Sequence, residues 1–181
     1  MGLPEIFISF QTAAVSAITR SARGVLAVAV KDATESGAAE AAYKSLAEVP
    51  EDKFSPENYR LLKLAFLAAP TKVWVLRVGE DAEKTYQALE RLRFDWLAAP
   101  GLEDARVMSF IKTLRNGGRG VKAVVANATA PDCEGIVNLC VSGLTLEDGA
   151  MEAKDYAVRV AALLAALPLT RSATYVNLPE V

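Results

Sequence analysis

The chain of 181 residues contains no histidine. That absence removes the commonest general acid–base group and the commonest metal ligand together. A histidine-based acyl-transfer triad and a histidine zinc site are therefore excluded. Cysteine is almost as scarce: Cys133 and Cys140 form no CxxC pair and match no zinc spacing. They are expected to be reduced, mostly buried thiols. No run of about 18 uncharged apolar residues occurs, so no transmembrane helix is expected. The first ten residues include Pro4 and Glu5 and lack a basic n-region, which reads against a signal peptide and for folding in a cytoplasm. The net charge of −2 supplies no electrostatic footprint for nucleic acid. Internal repeats and low-complexity segments are lacking too.

What the chain does contain describes a globular protein with a real core: 52% apolar residues against 23% charged ones. Its length suits one domain with an added arm. The arm is the N-terminus. Ile6, Ile8 and Phe10 alternate with Glu5, Phe7 and Ser9, the pattern of a β-strand with one apolar face. A strand at the extreme terminus must pair deep within its own fold or reach into a neighbouring subunit. Residues 1–20 read as that arm plus a small, hydroxyl-rich segment from Gln11 to Arg20, and residues 21–181 as one α/β unit.

A regular alternation fills that unit. Gly24 to Val30 (GVLAVAV) is an uninterrupted apolar run, as in a strand buried on both faces. The Ala-rich stretch from Thr34 to Lys53 is expected to be partly helical. Ser55-Pro56-Glu57 marks a helix start, with Ser as N-cap and Pro at the first helical position. Strands are expected at Lys72–Val78, Arg93–Leu97, Val121–Ala126, Ile136–Val141 and Thr174–Leu178. Helices are expected after Asp81, from about Glu103 to Arg115, and from about Glu152 to Ala166. The last of these aligns Tyr156, Val160, Leu163, Leu164 and Leu167 before Pro168 stops it. Strands alternating with helices of about a dozen residues give an α/β fold, a mostly parallel or mixed sheet flanked by helices and preceded by an extended N-terminal β-arm.

Few motifs carry chemistry. The loop Arg115-Asn116-Gly117-Gly118-Arg119-Gly120 runs from a helix into a strand, the reverse of a phosphate-binding loop, and reads as a glycine-rich helix exit. Glu80-Asp81 and Glu103-Asp104 stand where helices begin and complement the helix dipole. Trp74 and Trp96 fall in expected strands and read as core. Arg20, Arg23 and Lys31 cluster near the arm, whereas Asp132, Glu134, Glu147, Asp148 and Glu152 make the later half acidic. That asymmetry either orients identical subunits or belongs to an ordinary solvated surface. No catalytic, cofactor-binding or metal-binding residue is assigned.

Taken in order, these segments resemble the N-terminal half of a contractile phage tail sheath protein, of the class found in PBSX-like defective prophages and tailocins. The resemblance runs through Leu3-Pro4-Glu5-Ile6, Arg20-Ser21 with Arg23-Gly24, Lys31-Asp32 and Ala69-Pro70-Thr71-Lys72-Val73. It continues in Trp96-Leu97 with Pro100, Lys122-Ala123-Val124 and Glu134-Gly135-Ile136-Val137-Asn138. It closes with Tyr156, Arg159, Pro168-Leu169-Thr170, Ser172-Ala173-Thr174-Tyr175 and Leu178-Pro179-Glu180-Val181. In that family the chain continues past this point into a second, tube-facing domain, which is expected to be absent from these residues. The resemblance implies a non-enzymatic subunit that stacks as rings around a tail tube and contracts to drive it through a target envelope. Its implied partners are copies of itself, the tail tube protein and baseplate components, with no cofactor, nucleic acid or membrane. The implied setting is the bacterial cytoplasm during assembly, then the virion or tailocin tail. Ile6, Ile8 and Phe10 would form the exchanged arm, with Arg20 and Arg23 as hinge or contact residues. Two alternatives stand beside it. One is an α/β ligand-binding or enzymatic domain with Asp32, Arg77, Asp95 and Asn127 at the carboxyl edge of its sheet; the other is a tube or baseplate adaptor.

Overall fold

The computed structural model describes residues 24–32, 40–127, 129, 131–146, 149–168, 170–174 and 176. The chain opens with strands β1 (Val25–Lys31) and β2 (Glu40–Tyr43) and two 3-10 turns, Leu46–Glu48 and Glu51–Lys53. Then α1 (Pro56–Phe66), β3 (Lys72–Val78), α2 (Ala82–Arg91), β4 (Trp96–Ala98) and α3 (Asp104–Asn116) alternate. β5 (Lys122–Val125), β6 (Ile136–Asn138), the short pair β7 (Thr145–Leu146) and β8 (Gly149–Ala150), and α4 (Ala153–Ala166) follow.

Six strands form one sheet in the order β2-β3-β1-β4-β5-β6. β1 pairs in parallel with β3 and β4, and β5 continues the parallel ladder to β6. Only β2 at the far edge runs antiparallel. Setting β2 aside, this is a doubly wound sheet whose order reverses at β1. The alternation within β1 divides the core: Leu26, Val28 and Val30 meet α1 and α4 on one face, while Ala27 and Ala29 face the side of α2 and α3. That is why its sequence reads as an uninterrupted apolar run.

Local chemistry fixes the helix starts. The Ser55 hydroxyl accepts from the Asn58 backbone N–H at 3.3 Å, and Pro56 occupies the first helical position. The Asp81 carboxylate caps α2 by accepting from the Glu83 N–H at 3.0 Å. Asn58 is buried and its amide donates to the Lys31 carbonyl at 2.7 Å and to the Asp32 carboxylate at 2.9 Å. The same Asp32 oxygen accepts from the Ser55 N–H at 3.1 Å. The end of β1 is thereby tied to the start of α1. Asn58→Ala removes a donor from the Lys31 carbonyl and from the Asp32 carboxylate, which keeps the Ser55 N–H, so unfolding by urea is expected to show a loss of about 1–3 kcal/mol; an unchanged midpoint would mean that water replaces the amide.

The segment before α1 differs from the helical expectation. Glu40–Tyr43 lines the open side of β3 in a four-residue antiparallel register. The two 3-10 turns then bring Val49 and Phe54 into the core. The edge of β3 offers unpaired backbone groups, and filling it outweighs the helix propensity of the alanines. β4 is also shorter than expected, running only from Trp96 to Ala98, with Asp95 just before it bonded through its carboxylate to the Val25 N–H. β6 likewise ends at Asn138 rather than Val141. Thr174 lies in a turn, and most of the strand expected around it falls outside the described residues.

Candidate functional site

In doubly wound sheets ligands enter at the carboxyl ends of the strands, where the order reverses. Here that crevice is occupied by the chain itself. The turn after β4 folds over the end of β1: the Gly101 N–H donates to the Ala29 carbonyl at 2.9 Å, and Leu102 N–H to Ala99 at 3.0 Å. Lys154 of α4 holds the turn from above through its ammonium on the Leu102 carbonyl. Outside it lies an open groove of about 950 Å³, bordered by Lys31, Glu80, Tyr86, Glu103 and Arg106. Tyr86 is buried, and that burial raises its phenol above the ordinary tyrosine range despite the nearby Arg106 guanidinium. Arg106 stacks 5.1 Å from the Tyr86 ring and pairs with Glu83 at 2.8 Å. A phenol held in this way stays protonated at neutral pH and is poorly suited to act as a base.

The four residues of the ligand-binding alternative do not converge. Asp32 is engaged with the start of α1. Arg77 donates to the Lys53 carbonyl at 2.6 Å and stacks 4.5 Å from Phe54, toward β2. Asn127 exchanges two amide bonds with Asn138, at 3.0 and 2.6 Å, and so clasps the loop between β5 and β6. Asp95 corrects the expectation outright, because it precedes β4 and lies at the opposite, amino edge. There its carboxylate accepts from the Val25 N–H at 3.1 Å and its own N–H donates to the Val25 carbonyl at 2.8 Å. The side chains of Asp32, Arg77 and Asp95 each secure a chain crossing, whereas the Asn127 carboxamide oxygen accepts from the Thr129 N–H and hydroxyl, both at 3.0 Å; no shared cleft forms among the four.

The amino edge is basic. Arg119 donates to the carbonyls of Glu90 and Leu92 at 2.8 and 2.6 Å and lies 5.3 Å from the Phe94 ring. The glycine-rich segment is thus a helix exit whose arginine pins the end of α2. Arg115 reaches the Val121 carbonyl at 3.1 Å and pairs with Glu134. The two tryptophans are half-buried, each with a lysine over its ring: Lys72 on Trp74 at 4.6 Å and Lys122 on Trp96 at 5.2 Å. Exposed Arg91 and Arg93 border a hollow of about 430 Å³ beside Arg119.

Ile6, Ile8, Phe10, Arg20 and Arg23 lie outside the described residues. The cysteines are less buried than expected, with Cys133 intermediate and Cys140 exposed beyond the short β6. Composition pointed to neither Gly101 nor Lys154, because both act through backbone atoms distant in sequence.

At the start of α4, burial, together with neighbouring Glu152 and Glu57, raises the Asp155 carboxyl above its ordinary 3.8. Folding therefore favours its protonated form. The stability this contributes is present below pH 3.8 and is lost as pH rises through the higher folded value. Asp155→Asn is expected to melt above the parent at pH 7, with the difference vanishing in strong acid. A constant difference at every pH would trace the effect to packing.

No family model matches the chain. It is 32% identical over 197 aligned residues to the tail sheath protein of Clostridium phage phiCD119, an alignment covering 99% of this chain. The chain spans about half of that relative, 53% of its length. Among solved structures, a sheath tail protein from Desulfitobacterium hafniense superposes with a TM-score of 0.71 at 15% identity, over 96% of this chain and 64% of that one. A sheath tail protein from Listeria innocua gives 0.68 at 16% identity, over 87% of this chain and 61% of that one. Along nearly its whole length this chain is similar in sequence to a phage tail sheath protein, and it shares its fold with the two sheath tail protein structures.

Proposed function

We propose that the chain is the body of a structural subunit of a contractile tail sheath, which polymerises as stacked rings around a tail tube and contracts to drive it through a target envelope. The carrying observation is the 32% identity to a tail sheath protein across 99% of the chain. The fold suits the role: a sheet covered by helices on both faces moves as one body, and contraction needs rigid bodies with interfaces that have two stable arrangements. In this reading residues 1–20 are the connecting arm and hinge, and residues 21–181 the sheath domain. The arm strand of Ile6, Ile8 and Phe10 pairs with a sheet of a neighbouring subunit, in the family's C-terminal domain, through main-chain hydrogen bonds. Arg20 and Arg23 sit where the hinge meets the body. The tail tube and baseplate are the further partners, and assembly in the bacterial cytoplasm precedes a place in a virion or tailocin tail.

Electron microscopy of the full-length protein after overexpression, alone and with its tube protein, tests this. Tubes with a regular axial repeat are expected; dispersed particles under both conditions would overturn the reading. Ile6→Asp with Ile8→Asp is expected to abolish those tubes while leaving the melting temperature of the body within a few degrees. A large drop in that temperature would place the strand in its own subunit's core.

A further inference from the structure

We infer that copies of this chain meet head to tail, with the basic amino edge of one sheet against the acidic carboxyl edge of the next. The inference rests on the sheath reading for the claim that copies assemble, and it adds which faces meet. All four helices begin at the carboxyl edge: α1 is tied to the end of β1, α2 and α3 follow the ends of β3 and β4, and Lys154 near the start of α4 holds the turn after β4. Glu80, Asp81, Glu83 and Glu103 are exposed there; Glu80, Glu103 and Asp32 border the groove of about 950 Å³ against Lys31 and Arg106. Glu83 is paired with Arg106 and Asp81 caps its helix, whereas Glu80 and Glu103 enter no ion pair among the described residues. The amino edge presents Lys72, Arg91, Arg93, Arg115, Arg119 and Lys122 against Glu90, Asp95 and Glu134. Arg91 and Arg93 are exposed and likewise enter no ion pair among the described residues.

The helix dipole favours acidic residues at helix starts and basic ones at helix ends. That accounts for Asp81, Glu83, Asp104 and Arg91, which lie at or in terminal turns. It also covers Arg119, which donates to the last carbonyls of α2, but not Glu80, which precedes the cap of α2, nor Lys72, Arg93 and Lys122, which lie outside the helices. Opposite poles of one body thus carry opposite charge. A guanidinium binds a carboxylate through two parallel N–H donors, and a surface hollow beside Arg91 and Arg93 gives room for an acidic loop such as Glu80-Asp81. Such a contact is heterologous: each copy uses a different face on each side, so the assembly grows as an open stack or ring and does not close as a two-fold dimer. Charge pairing of this kind sets partner orientation more than affinity.

The test uses the full-length protein in two charge-reversed forms. One carries Arg91→Glu and Arg93→Glu, so both its edges are acidic; the other carries Glu80→Lys and Glu103→Lys, so both are basic. Circular dichroism melts establish that each is folded. By analytical ultracentrifugation at low salt, each form alone is expected to lose self-association about tenfold or more, and a mixture to recover it. About 0.5 M salt should dissolve the mixed complex. Carbodiimide cross-links in the mixture should join position 91 or 93 of one form to position 80 or 103 of the other. Single forms that associate like the parent, a mixture that stays dispersed, or cross-links elsewhere would each overturn the inference. Parent tubes alongside any of those results would leave the sheath reading standing. A dispersed parent with a correctly cross-linked mixture would sink the sheath reading and keep the edge contact.

Discussion

Gly101→Ala is expected to lower the unfolding free energy by about 3 kcal/mol, near the upper end for overpacking, which lowers the melting temperature by roughly 6–12 °C in a chain of this size. A Cβ at this position would stand 2.6 Å from the Lys31 nitrogen, 2.8 Å from the Val30 carbonyl carbon and 3.1 Å from the Ala29 oxygen. All three are backbone atoms of the central strand, so no side chain can swing away to make room. The turn after β4 would have to lift, and it would take with it the Gly101 bond to Ala29 and the Lys154 bond to Leu102. Gly79→Ala at the same edge is the control, because a Cβ there meets nothing within 4 Å; its effect is expected to stay within about 0.5 kcal/mol. Thermal melts of the two variants decide the matter. Equal melting temperatures would mean that the turn does not press on β1, and the crevice at the reversal of strand order would then be open to a ligand.

That crevice is where sequence and structure part most instructively. The reading of strands and helices from periodicity succeeded wherever the determinants are local. Ser55-Pro56-Glu57 and Asp81 announce α1 and α2 because a capping side chain bonds to an N–H two or three residues away. The run Gly24 to Val30 announces β1 because both of its faces are covered. Glu40–Tyr43 was illegible as a strand, since two alanines carry no β preference and only the unfilled edge of β3, more than thirty residues later, makes the pairing favourable. The start of β4 was misplaced because Arg93 and Phe94 match a strand locally, while Asp95 is drawn to Val25, 70 residues away. The candidate site depended on the same distant contacts. Asp32 and Arg77 stand near strand ends, but nothing nearby in sequence reveals that Asn58 and Phe54 occupy them.

The face that α4 buries gives the second large effect. Large apolar residues pointed to Tyr156, Val160, Leu163, Leu164 and Leu167 as its inner stripe, yet all five are only half-buried. Apart from buried Arg159, the buried stripe is small: Ala157, Val158, Ala161, Ala162 and Ala165, with Ala161 and Ala162 at 0% exposure. Alanines let the helix axis come close to β1, β4 and β5, on which α4 rests, and the leucines then pack along the flanks. Volume at Ala162 is therefore limiting, whereas volume at Leu163 is not. Ala162→Leu is expected to cost about 3 kcal/mol by forcing the helix away from the sheet. Leu163→Ala, which removes a half-exposed side chain, should cost about 1 kcal/mol. Urea unfolding of both variants separates the two packings, and the reverse order of effects would restore the leucine face to the interior. The distinction bears on the proposed mechanics. A helix seated on backbone-close alanines has little room to slide, so in a contracting sheath the motion would fall to the hinge and to the contacts between bodies.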